Sequence, residues 1–475
     1  MKHTKIIATI SDQRCDVEFL KTLFNEGVNV VRLNSAHMSI EGAKTIIQNV
    51  RYVSDSIGIL IDTKGPEVRT INIEEPVTAS IGQLIEVSGL NRESAEERIV
   101  LEVSYPDFHE EIPENTNILI DDGDIELKVV EKKIDYLLCK VENEGVIKNK
   151  KSINTPSYKV NLPSISEKDK EFIQFAAKSD IDFIAHSFVR DKHDIIKVQE
   201  LLDKYDSPIK IIAKIENLDG VSNIDEILDH AYGIMVARGD LGIEISAEKI
   251  PGIQRALIKK AVQRKKPVII ATQMLHSMID NPRPTRAEVS DVANAIYSRT
   301  DAIMLSGETA YGNYPVEAVQ YMNRIAIEIE KSKDKRNDIT IPSVEDEIVA
   351  YLAEAAIQAS AELKTKAIVT NTLTGKTALN LAAFRSDNSV FAQCYNSHIV
   401  RQLSLSYGVS ASMIIPKRNR FKMMRASLQS LMENNILQSN DLVVYVGGSF
   451  GIGGGSTFME ISTAGKLSGE LKIEK

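Results

Sequence analysis

The 475-residue chain contains no tryptophan and only three cysteines, Cys15, Cys139 and Cys394, which lie far apart. Because these cysteines show no paired spacing, they predict neither a zinc site nor a disulfide framework. No apolar run approaches the roughly 18 residues needed to cross a bilayer, and residues 1–4 lead directly into a strand-like run without a signal-peptide pattern. We therefore expect a cytoplasmic protein that does not use a membrane.

An excess of basic residues is also missing, since the net charge is −9. This charge argues against a protein that wraps nucleic acid or lies on an anionic membrane, but it allows a local basic pocket for an anionic substrate. The apolar fraction of 43% and charged fraction of 26% are typical of a globular protein. The length predicts about three domains.

The most informative pattern is a repeat of short runs rich in Ile and Val, each followed by polar residues or glycine, with helix-like stretches between them. These runs are residues 4–9, 29–34, 58–63, 182–188, 209–216, 233–238, 267–272 and 302–307. Apolar runs of this kind suit parallel strands buried on both faces. Eight strand–helix units favour a (β/α)8 TIM barrel over an open doubly wound sheet.

Two further segments interrupt or follow this repeat. Residues 67–161 are rich in alternating and β-branched residues with turn signals such as Asp121-Asp122-Gly123, which predicts a small β-barrel domain inserted after the third strand. The charged stretch 331–338 predicts a linker. The expected domains are a barrel of residues 1–66 and 162–335, an inserted β lid of residues 67–161, and a C-terminal α/β regulatory domain of residues 336–475.

Polar residues gather where the predicted strands end, which is where TIM barrels place their active sites. They are Arg32, Asn34, Asp62, Thr63, Lys214, Glu216, Arg238, Asp240, Thr272, Ser306 and Glu308. The carboxylates of Glu216 and Asp240 could bind a hard cation such as Mg²⁺, while Arg32 and Lys214 could neutralise a phosphoryl group. This combination predicts phosphoryl transfer.

Simpler interpretations remain open for the same residues. Arg32 with Asp62, or Lys214 with Glu216, could form buried structural ion pairs. From the barrel and a lysine alone, a Schiff-base aldolase that uses Lys214 as its nucleophile is the best enzymatic alternative. An alternative of another class is a catalytically silent regulator.

The motifs around these positions resemble the pyruvate kinase family over nearly the whole chain. They are Ala-Thr-Gln-Met-Leu from Ala271, Asn-Pro-Arg-Pro-Thr-Arg-Ala-Glu from Asn281, Met-Leu-Ser-Gly-Glu-Thr from Met304, Met-Val-Ala-Arg-Gly-Asp-Leu-Gly from Met235, Ile-Ile-Ala-Lys-Ile-Glu-Asn from Ile211, and Asp-Thr-Lys-Gly-Pro-Glu-Val-Arg-Thr from Asp62. Their length and their order along the chain both agree with the family.

The resemblance implies a glycolytic enzyme that transfers the phosphoryl group of phosphoenolpyruvate to ADP, giving ATP and pyruvate. It also implies the cofactors Mg²⁺ (or Mn²⁺) and K⁺, a homotetramer, and allosteric control by a sugar-phosphate or nucleotide effector. The segment 281–288 is expected near subunit contacts.

The resemblance also implies roles for individual residues. The expected catalytic residues are Lys214, Arg32 and Thr272, and the expected substrate-binding residues are Arg32, Lys214, Gly239, Asp240 and Thr272. The expected ligands of Mg²⁺ are Glu216 and Asp240. The expected ligands of K⁺ are Asn34, Asp62 and Thr63. His37, Arg69, Lys151 and Asn34 are expected to bind nucleotide as the lid closes, Glu67 accompanies K⁺ dependence, and Ser306 and Glu308 line a proton route.

Two departures from the family pattern affect these expectations. The family usually reads Asn-Phe-Ser-His-Gly where this chain has Asn34-Ser-Ala-His-Met, so Ala36 lacks the hydroxyl that would reach the monovalent cation. We expect altered cation selectivity unless Ser35 or a water substitutes. Near the first strand, Ser11-Asp-Gln-Arg replaces Gly-Pro-Ala-Ser, which is expected to change packing around the adenine.

A hydroxyl- and glycine-rich turn in the C-terminal domain opens a predicted helix, and such a turn can bind phosphate through backbone N–H groups. Its expected effector-binding residues are Thr372, Thr374, Gly375, Lys376 and Thr377. A well-capped turn without a ligand is the alternative. The glycine-rich segment 447–456 resembles an effector-closing loop, but alone it is a weak signal.

Overall fold

The computed structural model describes residues 2–94, 96–156, 158–332, 339, 341, 347–417, 419–448 and 455–469. The predicted linker at 331–338 and the glycine-rich segment at 447–456 therefore lie largely outside the described residues. None of the helices in the described part of the chain is both long and apolar enough to span a bilayer.

Eight parallel strands close into a barrel. They are β1 Lys5–Thr9, β2 Val30–Asn34, β3 Gly58–Asp62, β13 Phe183–His186, β14 Lys210–Ile215, β15 Gly233–Ala237, β16 Val268–Ala271 and β17 Ala302–Leu305. Their spatial order around the barrel is β1-β17-β16-β15-β14-β13-β3-β2. The TIM-barrel prediction is confirmed. Residues that alternate along these strands form an inner apolar cluster and an outer one beneath the helices, as the period of two requires.

The barrel helices cover the outer cluster. They are α1 Val17–Asn25, α2 Ile40–Val53, α4 Glu167–Ala177, α5 Lys192–Asp203, α6 Leu218–Ser222, α7 Ile224–His230, α8 Arg238–Glu244, α9 Ile250–Gln263, α10 Arg286–Tyr297, α11 Gly307–Ala310 and α12 Pro315–Ser332. Their ends follow capping chemistry: Asp16 caps α1 by accepting from the backbone N–H of Phe19. Gly27 follows α1 with a φ of 112°, where glycine is favoured.

The segment between β3 and α4 forms the inserted β domain, which we call the lid. Its elements are β4 Val68–Arg69, β5 Val77–Ala79, β6 Leu84–Ser88, β7 Ile99–Glu102, α3 Phe108–Glu111, β8 Asn117–Ile120, β9 Ile125–Lys132, β10 Leu137–Val141, β11 Gly145–Ile147 and β12 Ser152–Asn154. They form a seven-stranded sheet in the order β4-β12-β8-β9-β10-β6-β7 and a separate β11–β5 pair. β4 pairs antiparallel with β12, with Arg69 opposite Ser152. The segment that enters the lid and the segment that returns from it to the barrel therefore lie side by side.

The C-terminal α/β domain is built on a five-stranded sheet in the order β20-β19-β18-β21-β22, parallel except for β22. Its elements are α13 Glu347–Glu362, β18 Ala367–Thr372, α14 Lys376–Ala383, β19 Val390–Cys394, α15 Ser397–Gln402, β20 Val409–Met413, α16 Arg420–Glu433, β21 Leu442–Gly448, β22 Ser456–Thr463 and α17 Ala464–Ser468. Buried ion pairs join this domain to the barrel, among them Arg401 with Asp182 at 2.6 Å.

Candidate active site

A cleft of about 1060 Å³ separates the mouth of the barrel from the lid. Barrel residues such as Glu216 and Asp240 line one side of it, and lid residues such as Arg69 and Lys151 line the other. The cleft therefore lies at the carboxyl ends of the barrel strands, where the sequence predicted the site.

Four side chains at the barrel mouth form one continuous cluster of ion pairs. Asp62 accepts from Arg32 Nε at 2.6 Å through Oδ2 and lies 3.0 Å from Lys214 Nζ through Oδ1. Lys214 Nζ also lies 2.9 Å from Glu216 Oε1. The two carboxylates are almost fully buried, and the two cations are about one-tenth exposed. The two pairs that the simpler interpretation proposed do exist, but the contact between Asp62 and Lys214 joins them, and Glu216 is the member that lines the cleft.

The strand register explains why these residues meet. Asn34 is the register partner of Asp62 across the parallel β2–β3 pair, and Arg32 lies two residues before Asn34 on the same face. Glu216 directly follows β14, so it shares a face with Lys214. The cluster thus forms because several barrel strands end with charged residues that lie on the inward face.

Burial and neighbouring charge set the ionisation of the cluster. Burial acts to raise the pKa of Asp62, but Arg32 and Lys214 hold it below its ordinary value. Burial opposes the charge of Lys214, yet Asp62, Glu216 and Asp240 together raise its pKa, so the ammonium stays protonated. The cluster therefore holds a protonated ammonium between the carboxylates of Asp62 and Glu216.

Glu216 and Asp240 form a carboxylate pair beside Lys214. Burial raises the pKa of Glu216 to about 7, with Lys214 opposing this shift and Asp240 adding to it. Burial likewise raises the pKa of Asp240, which is in hydrogen-bonding contact with Glu216. Burial and the proximity of the two carboxylates therefore disfavour the state in which both are ionised.

Thr272 and Gly239 meet at the ends of β16 and β15. The Thr272 hydroxyl accepts from Gly239 N at 2.9 Å and donates to the Ala271 carbonyl at 2.7 Å. Thr272 has a φ of 67°, a left-handed conformation that a β-branched residue rarely adopts. Arg238 holds that conformation by donating to the Thr272 carbonyl at 2.7 Å, while also pairing with Asp291. Residues held in such sparsely populated backbone conformations cluster at functional sites.

The predicted proton-route residues lie on the next strand end. The buried Glu308 carboxylate accepts from the backbone N–H of Ser306 at 2.7 Å and of Leu275 at 3.2 Å. Glu308 therefore ties the turn after β17 to the turn after β16, where Thr272 lies.

The predicted nucleotide-binding residues lie on both sides of the cleft. His37, Arg69 and Lys151 line it. Arg69 pairs with Glu67 at 2.7 Å, and Lys151 pairs with Asp121 at 2.8 Å. Asn34 is not among the residues that line the cleft, and its Oδ1 accepts from the backbone N–H of Ala36 at 3.1 Å.

The residues predicted to bind K⁺ supply oxygen atoms at the ends of two neighbouring strands. Asn34 and Asp62 are register partners, and Thr63 follows Asp62. The backbone carbonyl of Ala36 accepts from Lys168 Nζ at 3.1 Å. The Ser35 hydroxyl is buried and has no hydrogen-bond partner among the described residues, so it stays a candidate to replace the hydroxyl that Ala36 lacks.

The predicted effector-binding turn lies apart from the cleft, between β18 and α14. Gly375 has a φ of 83°, and its N–H donates to the Thr372 hydroxyl at 2.9 Å. The Thr377 hydroxyl hydrogen-bonds with Ser456 at 2.9 Å. Thr374 and Lys376 stand at the same turn, with the N–H of Lys376 3.5 Å from the Thr374 hydroxyl.

Sequence reasoning missed one residue at the heart of the site. Ser187 directly follows β13, is almost fully buried, and accepts from Lys214 Nζ at 2.7 Å. Its position at the end of a strand could have identified it. The predicted strand covered residues 182–188, so Ser187 was counted as part of the strand, whereas the observed strand ends at His186.

The chain is similar to known proteins along nearly its whole length. The family model for the pyruvate kinase barrel domain matches residues 1–319, and the model for the pyruvate kinase alpha/beta domain matches residues 351–462. The chain belongs to the pyruvate kinase family. A pyruvate kinase of Borreliella burgdorferi is 47% identical over 476 residues, covering 97% of both chains. One from Geobacillus stearothermophilus is 43% identical over 94% of this chain and 78% of its own.

A solved structure gives the same result for the fold. The crystal structure of a pyruvate kinase from Cryptosporidium parvum superposes with a TM-score of 0.89 at 34% identity, covering 98% of this chain and 96% of the other. As a pyruvate kinase family member, the chain is a phosphotransferase. The family membership therefore favours the phosphoryl-transfer interpretation of the cluster over the aldolase.

Proposed function

We propose that the chain transfers the phosphoryl group of phosphoenolpyruvate to ADP at the barrel mouth, giving pyruvate and ATP. The observation that carries this proposal is the cluster in which Arg32 and Lys214 share Asp62, beside Glu216, which lines the cleft. Two fixed cations at one point suit a transferring phosphoryl group, because its reaction depends mainly on positioning and charge neutralisation.

The reaction itself needs little covalent chemistry from the protein. A β-phosphate oxygen of ADP attacks the phosphorus of phosphoenolpyruvate, the bond from phosphorus to the enol oxygen breaks, and the enolate leaves. Arg32 and Lys214 neutralise charge on the phosphoryl oxygens, while burial strengthens both interactions. The enolate then takes a proton on its terminal carbon to become pyruvate.

Glu216 and Asp240 fit a divalent cation of the Mg²⁺ type. They are hard oxygen donors in mutual contact, and they hold a proton that such a cation would displace. No group of three or more His, Cys, Asp and Glu side chains suited to a metal occurs in the described parts of the chain. Two carboxylates suit Mg²⁺, which is commonly held by one or two carboxylates with substrate phosphates and water. When bound, Mg²⁺ would neutralise phosphate charge.

The substrate carboxylate is proposed to bind at Gly239 and Thr272. Their hydrogen bond of 2.9 Å shows that both groups already point at each other, so a carboxylate would take over the Gly239 N–H. Ser306 and Glu308 are proposed to line the path by which the enolate receives its proton, since they tie together the turns around Thr272.

K⁺ is proposed to bind at Asn34, Asp62 and Thr63, whose oxygens lie at adjacent strand ends. The nucleotide is proposed to contact His37, Arg69 and Lys151, and closure of the lid over the cleft would exclude water from the transfer.

The remaining proposals concern regulation and assembly. The turn that holds Gly375 is proposed to bind a phosphorylated effector, because its N–H groups open α14. The domain limits proposed are residues 1–66 with 162–335, 67–161 and 336–475. A homotetramer in the cytoplasm is proposed on the resemblance to the family.

The decisive experiment is a coupled assay of pyruvate formation from phosphoenolpyruvate and ADP with Mg²⁺, in paired K⁺ and Na⁺ buffers. Lys214→Met keeps most of the side-chain volume but removes the charge, so turnover is expected to fall by at least ~10³-fold with the fold intact. Absence of turnover by the folded wild-type chain with ADP, GDP and UDP would favour the silent-regulator alternative.

A further inference from the structure

The ammonium group of Lys214 has three N–H bonds, and three acceptors surround it. They are Asp62 Oδ1 at 3.0 Å, Glu216 Oε1 at 2.9 Å and Ser187 Oγ at 2.7 Å. Because an ammonium has no other hydrogens to donate, these three contacts define both the position and the rotation of Nζ. Ser187 makes the shortest contact and is the one uncharged acceptor of the three.

The direction of the Ser187 hydroxyl is also fixed. Its hydrogen is donated to the Thr63 carbonyl at 2.6 Å, with Asp62 Oδ1 a weaker acceptor at 3.3 Å. A hydroxyl has a single hydrogen and two lone pairs. Since the hydrogen is directed to Thr63, a lone pair is left for Lys214, and Ser187 can act towards the lysine only as an acceptor.

The backbone around Ser187 holds this hydroxyl in place. Its N–H donates to the Thr63 hydroxyl at 3.0 Å, and His186 Nδ1 lies 3.5 Å from the same hydroxyl. The next residue, Phe188, has a φ of 55° and donates its N–H to Glu216 Oε2 at 2.7 Å. The turn after β13 is thus hydrogen-bonded to Thr63 through Ser187 and to Glu216 through Phe188.

We propose that Ser187 is a positioning residue that orients the Lys214 ammonium for phosphoryl transfer. The inference rests on the proposed function of Lys214 at the same site. Asp62 and Glu216 attract the lysine but also offset its charge. Ser187 holds Nζ from a third direction without adding negative charge, so the ammonium keeps its field for the phosphoryl oxygens.

The matched pair Ser187→Thr and Ser187→Val tests this role, because the two side chains have nearly the same shape and differ in the hydroxyl. Ser187→Thr is expected to keep kcat within about threefold of wild type. Ser187→Val is expected to lower kcat by roughly 10- to 100-fold, the range that a small misplacement of a catalytic group produces. The KM for phosphoenolpyruvate should change by less than about threefold in both.

A second reaction separates positioning from general damage. Exchange of the methyl hydrogens of pyruvate with deuterium, followed by NMR, involves enolate formation but no phosphoryl transfer. Exchange is expected to remain within about threefold of wild type in Ser187→Val. The ratio of transfer to exchange does not depend on the fraction of folded protein, so Ser187→Ala provides the same test if the larger side chains do not fit.

The outcomes are distinguishable. Loss of transfer with retained exchange in Ser187→Val, and its recovery in Ser187→Thr, supports the role. Equal kcat in the two variants, or a parallel fall in transfer and exchange, overturns it. A wild-type chain without turnover would instead overturn the proposed function.

Discussion

Arg385 in the C-terminal domain holds Asp301, the residue before β17, through two parallel hydrogen bonds. Nη1 donates to Oδ1 at 2.9 Å and Nη2 donates to Oδ2 at 2.7 Å. Both side chains are at least 95% buried. Asp301 also accepts from the backbone N–H of Tyr407 and of Val268, so one carboxylate connects the C-terminal domain with two barrel strands.

Removing Arg385 should therefore destabilise the protein strongly. Arg385→Met leaves the Asp301 charge buried without its partner, and breaking a buried pair in this way costs about 3–5 kcal/mol. Urea unfolding would measure the loss. The double variant Arg385→Met with Asp301→Asn should recover part of it; if the double variant were no better than Arg385→Met, the pair would not be the cause.

Binding of the divalent cation should release a proton. The pKa of Glu216 is raised to about 7, so below that pH the cation must displace the proton that Glu216 shares with Asp240. The apparent affinity for Mn²⁺ should rise up to about tenfold per pH unit below 7 and level off above it. Calorimetric titrations at pH 6 and pH 8, in two buffers of different ionisation enthalpy, would detect the proton. Equal affinities at both pH values would contradict the prediction.

Restoring a hydroxyl at position 36 should strengthen the monovalent cation site. An added oxygen ligand of about 1 kcal/mol corresponds to a roughly fivefold lower K⁺ concentration for half-maximal activity in Ala36→Ser. The ratio of activity in K⁺ to that in Na⁺ should rise as well. Ser35→Ala tests the alternative ligand: the Ser35 hydroxyl has no partner among the described residues, so if it replaces the missing ligand, its removal should raise the K⁺ concentration needed for half-maximal activity. If Ala36→Ser left the K⁺ response unchanged, the proposal that K⁺ binds at this site would be wrong.

His186 should make stability fall as the pH drops from about 6.5 towards 4. Burial lowers the pKa of His186 to about 4; Asp194 and Asp169 oppose this shift, while Lys214 and Arg190 favour it. The folded state keeps the ring neutral while the unfolded chain takes up a proton near pH 6.5, so acid favours unfolding by up to about 3 kcal/mol.

The comparison that isolates this effect is His186→Gln against wild type in urea at pH 7.5 and pH 5. The variant should lose less stability between the two pH values, because glutamine does not titrate. If both chains lost the same amount, His186 would not contribute to the acid sensitivity.

The sequence predicted all eight barrel strands because each combines an apolar run with a polar end. Errors concern the ends: the expected strand at 182–188 continues two residues too far, since Phe188 turns back with a φ of 55°. A left-handed phenylalanine has no sequence signature, because tertiary contacts impose it.

The sequence predicted the charged residues of the site, but it did not predict which residues contact each other there. Arg32, Lys214 and Glu216 were found because they stand at the ends of predicted strands, where TIM barrels place their active sites. Ser187 was missed because serine is common at strand ends, and its importance depends on the lone pair that it directs at Lys214. The strand order of the lid could not be predicted from the sequence either. β6 pairs in parallel with β7 and antiparallel with β10, and the alternation of apolar and polar residues does not indicate which strands pair.

Both ends of the lid leave the barrel next to each other, through the antiparallel pairing of β4 and β12. A short turn could join those ends at a small entropic cost, so the rest of the barrel does not depend on the inserted domain for closure. Insertions, deletions or substitutions within the lid therefore have a route to be accommodated without a change in the register of the barrel strands.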